Sequence, residues 1–398
     1  MNSWVELSSE RLAANYRALA EAAGAGVSVL AVIKANGYGH GAALCAPVLV
    51  RAGARWLGVT DAAEGAAVLG SLNAVKPQPR ILVMSGLLAE DAPGIVAHNL
   101  TAVVWNVEQM QWLASAALYC HARRPLPVHL EIDTGMSRQG VPPGAELDSV
   151  LAWLAAHPEI SLEGVLTHFA SAEVAGSQQT ERQRERFEDA CRAVAAAGLR
   201  PVSVHASNTS SIDNPTLPDH HSWLTQLASG LGAQPMVRTG LGLYGYCLPI
   251  ECGHGFTGAV AAKLCCKLRP VMTWKTRVIA VRDVDAGEAI GYNGIFVAER
   301  PMRIALLPVG YADGLRRELS SGNACPGGWV MIRGQRAPIV GRISMNLTTV
   351  DVTGIRNVSA GDGVIVLGEG ITAEEHGRLA RTIAYEILCG VRAEPRLA

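Results

Sequence analysis

Short runs of Val, Ile and Leu alternate with longer amphipathic stretches through the first part of the chain. The apolar runs begin near Val27 (VSVLAVI), Arg55 (RWLGVT), Arg80 (RILVMS), Leu100 (LTAVVW), Val128 (VHLEID), Leu162 (LEGVLTHF), Pro201 (PVSVHAS) and Met236 (MVRTGLGLYG), eight in all. Such runs suit strands covered on both faces. The stretches between them, for example SAEVAGSQQTERQRERFEDACRAVAAAGL, put charge on one face of a helix and apolar residues on the other. Strands alternating with helices pair in parallel, and eight such units over about 240 residues predict a closed (β/α)8 barrel of the TIM type. An open doubly wound sheet is the competing arrangement.

From about Ala262 the pattern changes. Runs such as MTWKTRVIAVRDV, RIALLPVG, WVMIRG, APIVGRI, LTTVDV and GVIVLG alternate or are β-branched, and turn residues separate them at Asp285, Pro326 and Ala360. No long helix is expected before roughly Ala373–Leu388. The expected organisation is a barrel domain over residues 8–261 and a mostly β domain over 262–398, to which residues 1–7 belong. Asp213–Gly232 (DNPTLPDHHSWLTQLASGLG) reads as a surface excursion between the seventh and eighth strands.

Composition narrows the possibilities. Apolar residues make up 49% of 398 and charged residues 17%, enough for a large core and unlike a disordered chain. The formal net charge of −1 offers no basic face for nucleic acid. No apolar stretch reaches the ~20 residues needed to cross a bilayer. The start, MNSWVELSSERLAANYRAL, lacks the charged and apolar regions of a secretory signal, so a cytoplasmic protein is expected. Nine cysteines are scattered without CxxC spacing, which argues against a disulfide framework or a zinc site and for reduced thiols. No metal is expected.

In a barrel, chemistry sits at the C-terminal ends of the strands. Lys34, in VLAVIKANGYGHG, follows the first run directly. A lysine there either reaches solvent or is desolvated, and a desolvated amine has a lowered pKa and can condense with an aldehyde. The surrounding glycines allow close approach of a ligand, and Tyr38 and His40 supply polar groups. Arg238 stands in the eighth run, followed by the glycine-rich turn Gly240-Leu241-Gly242. Turns of this kind after the last strands of barrels hold phosphate.

AVIKANGYGHG resembles the cofactor-lysine motif of the alanine racemases, a fold-type III pyridoxal-phosphate family. The likeness recurs at DTGMSRQG (133–140), THFASAE (167–173), HASNTSS (205–211), VRTGLGLYG (237–245), GYADG (310–314), GRISMN (341–346) and YE (385–386). It implies an isomerase that interconverts L- and D-alanine for peptidoglycan synthesis, with Lys34 carrying pyridoxal 5′-phosphate and acting as one acid/base. The other base would be Tyr292, on the opposite face of the substrate and contributed by the second subunit of a homodimer. A free phenol has a pKa near 10, so Tyr292 needs a neighbouring cation to serve as a base. By the same resemblance Arg238 would face the pyridine nitrogen; a guanidinium cannot accept a proton, which keeps that nitrogen neutral. The N–H groups of Gly240 and Leu241, with Asn208, Thr209, Tyr38 and Tyr385, would complete the phosphate shell, although serine is commoner where Thr209 stands. His168 would stack on the ring and His205 would sit behind Arg238. Arg138 would meet both the cofactor's phenolic oxygen and the substrate carboxylate, with help from the N–H of Met345, and Tyr311 would line the entry.

Two positions depart from the family. Glu131 stands where many members carry a lysine modified with a carboxylate, and is expected to pair with Arg138 in its place. Asn346 replaces the usual aspartate after Met345, which bears on substrate range. Other readings are a broad-specificity or serine racemase, a fold-type III decarboxylase (disfavoured by Arg238), a non-enzymatic carrier of the cofactor, and a metal-dependent barrel hydrolase.

Overall fold

The computed structural model describes residues 2–120, 125–253, 260–368 and 370–398; residues 121–124 and 254–259 of the expected barrel domain lie outside the described residues. Two compact units make up the chain, one of residues 12–37 and 45–269, the other of residues 1–11, 38–44 and 270–398.

The first unit is a closed parallel barrel of eight strands: Ser28–Val32, Trp56–Val59, Arg80–Val83, Thr101–Val104, Leu126–Glu131, Ile160–Leu166, Ser203–Ser207 and Gln234–Thr239. Closure is made by the first strand pairing with the eighth, Leu30 opposite Arg238 and Ala31 opposite Thr239. The strands are nearly continuous Val/Ile/Leu because side chains on one side fill the barrel and those on the other pack beneath helices. The longest helix, Gln178–Ala196, is capped by the Ser177 hydroxyl, which accepts from the Thr180 N–H. It buries Thr180, Gln183, Arg184, Phe187, Ala190, Cys191 and Val194, a three-and-four spacing that leaves its charged face outside. The pairing register slips at Val128/His129 against the sixth strand and at His205/Ser207 against the eighth. Such irregularities re-aim side chains inside a barrel.

Asp213–Gly232 is not a surface excursion. Asp213 and Asn214 are buried, and His220–Gly230 is a helix that packs His220, Leu224 and Ala228 inward.

The second unit is mostly β. A six-stranded sheet runs Gln335–Pro338, Trp329–Ile332, Gly363–Leu367, Met272–Arg277, Ser3–Leu7 and Pro395–Leu397 in spatial order. Ser3–Leu7 pairs antiparallel with Met272–Arg277 and parallel with Pro395–Leu397. A three-stranded sheet (Ala280–Val284, Met302–Leu307, Thr348–Asp351) and a hairpin (Ala289–Ile290 with Phe296–Val297) complete it. The single helix expected near Ala373–Leu388 is two, Ala373–Leu379 and Ala384–Gly390. Arg381 adopts φ 54° between them, and the Thr382 N–H bonds back to Gly377, which ends the first helix. Among the described residues no helix is long and apolar enough to cross a membrane.

Candidate active site

In the barrel unit, Lys34 follows the first strand and opens a left-handed turn. Ala35, Asn36 and Gly37 have φ/ψ of 53/50°, 51/47° and 66/40°. Left-handed backbone costs a residue with a Cβ roughly 1–2 kcal/mol, so the surroundings must impose it. Glu64 does so: one carboxylate oxygen accepts from the Asn36 N–H at 2.7 Å, the other from the Thr60 N–H at 2.7 Å. The Lys34 amine is half-buried, and among the described residues no carboxylate pairs with it. Burial holds its pKa below that of an ordinary lysine, and the charges of Arg138 and Arg238 push the same way against Glu131 and Glu64.

Arg238 is buried inside the barrel. Its Nη1 donates to His205 Nδ1 (3.0 Å) and the His205 carbonyl (3.1 Å); its Nη2 donates to the Thr167 carbonyl (2.7 Å) and His168 Nδ1 (3.1 Å). Its Nε has no partner among the described residues. Burial lowers its pKa to about 10, leaving it charged at neutral pH. Because the guanidinium only donates, both imidazoles must accept through Nδ1. Burial, then the Arg238 charge, holds His168 and His205 well below the usual histidine range, so both are neutral.

The turn beside Arg238 is tightly built. Gly240 donates its N–H to Thr209 Oγ1 at 3.3 Å, and a Cβ on Gly242 would come within 2.9 Å of Thr209 Cγ2. Leu241 opens the helical turn Leu241–Tyr244. Asn208 caps the short helix Thr209–Asp213, accepting from the Ser211 N–H at 3.0 Å.

Glu131 is buried at the end of the fifth strand but does not pair with Arg138. Its carboxylate accepts from Gln139 Nε2 at 2.5 Å, and the same amide donates to the Met84 carbonyl at 3.0 Å. Arg138 is exposed, carried on a loop that Asp133 shapes by accepting the N–H groups of Gly135, Met136 and Ser137, each at 3.0 Å. The two residues are separated because Gln139, not Arg138, turns back toward the barrel. Burial raises the Glu131 pKa; the Gln139 bond and the charges of Arg238 and Arg138 oppose the rise.

The second unit holds the remaining expected residues. The rings of Tyr38 and Tyr385 lie with centroids 5.8 Å apart at 41°. A Cβ on Gly39 would meet the Leu388 carbonyl oxygen at 2.4 Å, so glycine alone lets the Tyr38 segment lie this close. Tyr292 sits at the tip of the hairpin, 65% exposed, where Gly291, Asn293 and Gly294 all have positive φ. Tyr292, Tyr311 and Met345 line an open cleft of about 440 Å³ with Asn293, Arg317 and Ile343. The Tyr311 N–H donates to the Ser344 carbonyl and the Ala312 N–H to the Met345 carbonyl, at 3.1 and 2.9 Å.

Several supporting residues escape a reading of the sequence. Glu64 has the spacing of a helix cap after Asp61, but its reach to Asn36 spans 28 residues. Thr167 lies in a recognised motif, yet only folding brings its carbonyl to Arg238. Gln139 carries no signal beyond its place beside Arg138. Among the described residues no group of three or more His, Cys, Asp or Glu is arranged to hold a metal ion.

Residues 7–248 match the sequence model of the alanine racemase N-terminal domain, and residues 271–397 that of the C-terminal domain. A protein named alanine racemase from Syntrophobacter fumaroxidans is 36% identical over 394 residues, 98% of this chain and 95% of the relative. The solved alanine racemase of Streptomyces coelicolor superposes with a TM-score of 0.85 at 30% identity, covering 100% of this chain and 98% of that one. That of Bartonella henselae, solved with covalently bound pyridoxal phosphate, gives a TM-score of 0.80 at 25% identity and full coverage of both chains.

Proposed function

The chain belongs to the alanine racemase family, whose members are amino-acid isomerases, and from that premise we propose that it interconverts L- and D-alanine by two-base proton transfer between Lys34 and Tyr292. The observation that carries this reading is the placement of Lys34 and Arg238. They end two adjacent, hydrogen-bonded barrel strands, and neither pairs with a carboxylate among the described residues.

Those residues fit pyridoxal 5′-phosphate. The Lys34 amine has the lowered basicity that condensation with an aldehyde requires. Arg238 is a donor-only group that suits a neutral ring nitrogen, and its Nε has no partner among the described residues. Thr209 and the Gly240–Leu241 turn, with Asn208 at the end of the seventh strand, supply small, polar groups for a phosphate, and by family resemblance Tyr38 and Tyr385 are assigned to the same phosphate. When bound, the cofactor acidifies the Cα–H of the amino acid it carries.

The chain's own residues do the rest. Lys34 Nζ takes or returns the Cα proton on one face, and the phenol oxygen of Tyr292 does so on the other, so each direction uses the two groups in opposite roles. Arg238 holds its proton throughout, and His168 and His205 fix its plane. Arg138, on its exposed loop, meets the substrate carboxylate together with the Met345 N–H, and Tyr311 lines the entry; Met345 and Tyr311 share the cleft of Tyr292 and come to the site with it. In this reading the barrel carries the cofactor and the second unit supplies the second base. A homodimer with twofold symmetry delivers Tyr292 of the partner subunit to each site. A cytoplasmic role supplying D-alanine for peptidoglycan goes with this assignment.

The test is reduction with borohydride after incubation with pyridoxal phosphate, followed by peptide mass analysis, beside a racemisation assay over a panel of amino acids. The reading requires a cofactor-sized mass increase on the Lys34 peptide and turnover of alanine in both directions, with Tyr292→Phe slowing it severely. A colourless protein that takes up no cofactor overturns it.

A further inference from the structure

A single file of polar groups crosses the barrel interior away from the Lys34 side. Arg238 Nη1 donates to His205 Nδ1 at 3.0 Å. His205 Nε2 lies 2.9 Å from His129 Nδ1. His129 Nε2 faces Glu163 Oε2 at 3.6 Å, and neither atom has a hydrogen-bond partner among the described residues. The other Glu163 oxygen is held by Arg80 Nη1. Arg80 donates through Nη2 to Thr101 Oγ1 at 2.9 Å and covers the Trp56 ring at 4.5 Å. Trp56, Arg80 and Thr101 are the first residues of their strands, so the file runs from the chemistry end of the barrel to its opposite end.

Its direction is fixed from both ends. The guanidinium only donates, so His205 Nδ1 is bare and its proton sits on Nε2. His129 Nδ1 must then accept, which leaves its proton on Nε2, pointed at a carboxylate that only accepts when ionised. Moving either proton would set two N–H groups or two lone pairs face to face in a dry interior, where neither can turn to water. Both rings are neutral: burial holds each below the usual histidine range; at His129 Glu163 pulls the other way without overcoming burial, and the Arg238 charge adds to the lowering of both. Burial works to raise Glu163, but His129 and Arg80 outweigh it and keep the carboxyl ionised.

The packing is built around this file. A Cβ on Gly164 would come 2.5 Å from His129 Nδ1, so only glycine there leaves room for the ring. The two register slips fall beside His129 and His205, the two residues whose rings face each other. The direct partners of the buried Arg238 guanidinium are carbonyls and neutral imidazoles; Glu131 acts on it through space, and the file links it by hydrogen-bonding groups to a second carboxylate.

We propose that His129 and Glu163 are positioning residues for racemisation: the ordered file Arg238–His205–His129–Glu163 locks both histidines as Nε2–H tautomers and carries the compensation of a remote carboxylate to the arginine that meets the ring nitrogen. The proposal rests on the assignment of Arg238 to that nitrogen.

The test is nitrogen NMR of the protein labelled at histidine, before and after loading with pyridoxal phosphate. In the wild-type protein His205 and His129 should each show a bare Nδ1 and a protonated Nε2. Glu163→Gln keeps an acceptor but removes the charge. It should shift both histidines, alter the visible spectrum of the loaded enzyme, and lower kcat about tenfold with little change in the KM for alanine, the lower range for losing an outer partner of a working histidine. Gly164→Ala should displace His129 and reproduce the NMR change. A protonated Nδ1 on either ring in the wild type overturns the proposal. So does a folded Glu163→Gln whose His205 signals, spectrum and kcat are unmoved. Failure of the cofactor assignment looks different: the wild-type tautomers stand as described, but no cofactor is taken up.

Discussion

At the scale of single residues, the site balances a dense group of cations with few anions. Arg238, Arg138 and Lys34 act on one another, and the buried carboxyl nearest them in effect is Glu131. Burial raises the Glu131 pKa, so the folded chain keeps a proton at a pH where the unfolded chain has released it. Its contribution to stability therefore falls as pH rises above the ordinary carboxyl value of 4.5. Glu131→Gln keeps an acceptor for Gln139 and removes that loss. Melts at pH 8 should show the variant at least as stable as the parent. Racemisation should nonetheless slow, because the negative charge between Arg138 and Arg238 is gone. Full activity would remove Glu131 from the supporting shell. Charged residues at strand ends are visible in a sequence, which is why Lys34, Arg238 and Glu131 stand out. Their partners are not: whether Glu131 meets Arg138 or Gln139 depends on which of two adjacent side chains turns inward, and one residue of register decides it.

At the scale of elements, the loops are held by close backbone approach. A Cβ on Gly310 would lie 2.2 Å from the Ser344 carbonyl oxygen and 2.4 Å from that of Met345. Gly310→Ala should push apart the segments that carry Tyr311 and Met345. We expect a loss of about 2–3 kcal/mol in denaturant unfolding, at the upper range for a single substitution, and a raised KM for alanine. Ala35→Gly should do the reverse, relieving left-handed strain by up to about 1 kcal/mol less the flexibility glycine adds to the unfolded chain. A melting temperature no higher than the parent's would mean that Glu64 already absorbs the strain.

The eight barrel strands were legible because each is a run of Val, Ile and Leu between helical stretches. The helix His220–Gly230 was hidden. Its buried face is thin, with His220, Leu224 and Ala228 at intervals of four, and Asn214-Pro215 and Pro218 just before it read as loop. The break at Arg381 was equally silent, since an arginine carries no left-handed preference to mark it.

At the scale of the molecule, each unit carries a buried neutral histidine. Burial lowers His220 in the barrel unit and His376 in the other to about 4, against 6.5 when free. Between those values the unfolded chain binds protons that the folded chain refuses, so stability is whole above pH 6.5 and is lost as pH falls toward about 4. Each histidine removes about 1.4 kcal/mol per pH unit over that window. Melts from pH 7 to 5 should show both units losing stability, and His376→Gln should flatten the slope. Assembly gives a separate prediction. If Tyr292 of the partner subunit completes each site, specific activity should fall on dilution through the dimer dissociation range, and inactive Lys34→Ala mixed with inactive Tyr292→Phe should regain part of the wild-type rate.

The placement of Ser3–Leu7 between Met272–Arg277 and Pro395–Leu397 also sets an order of events during synthesis. The barrel's strands all leave the ribosome before either neighbour of that first strand exists. Residues 3–7 therefore have no strand neighbour until Met272–Arg277 is made, and gain the second only with Pro395–Leu397. A product shortened before Met272 would hold all eight barrel strands yet leave both edges of Ser3–Leu7 without a partner.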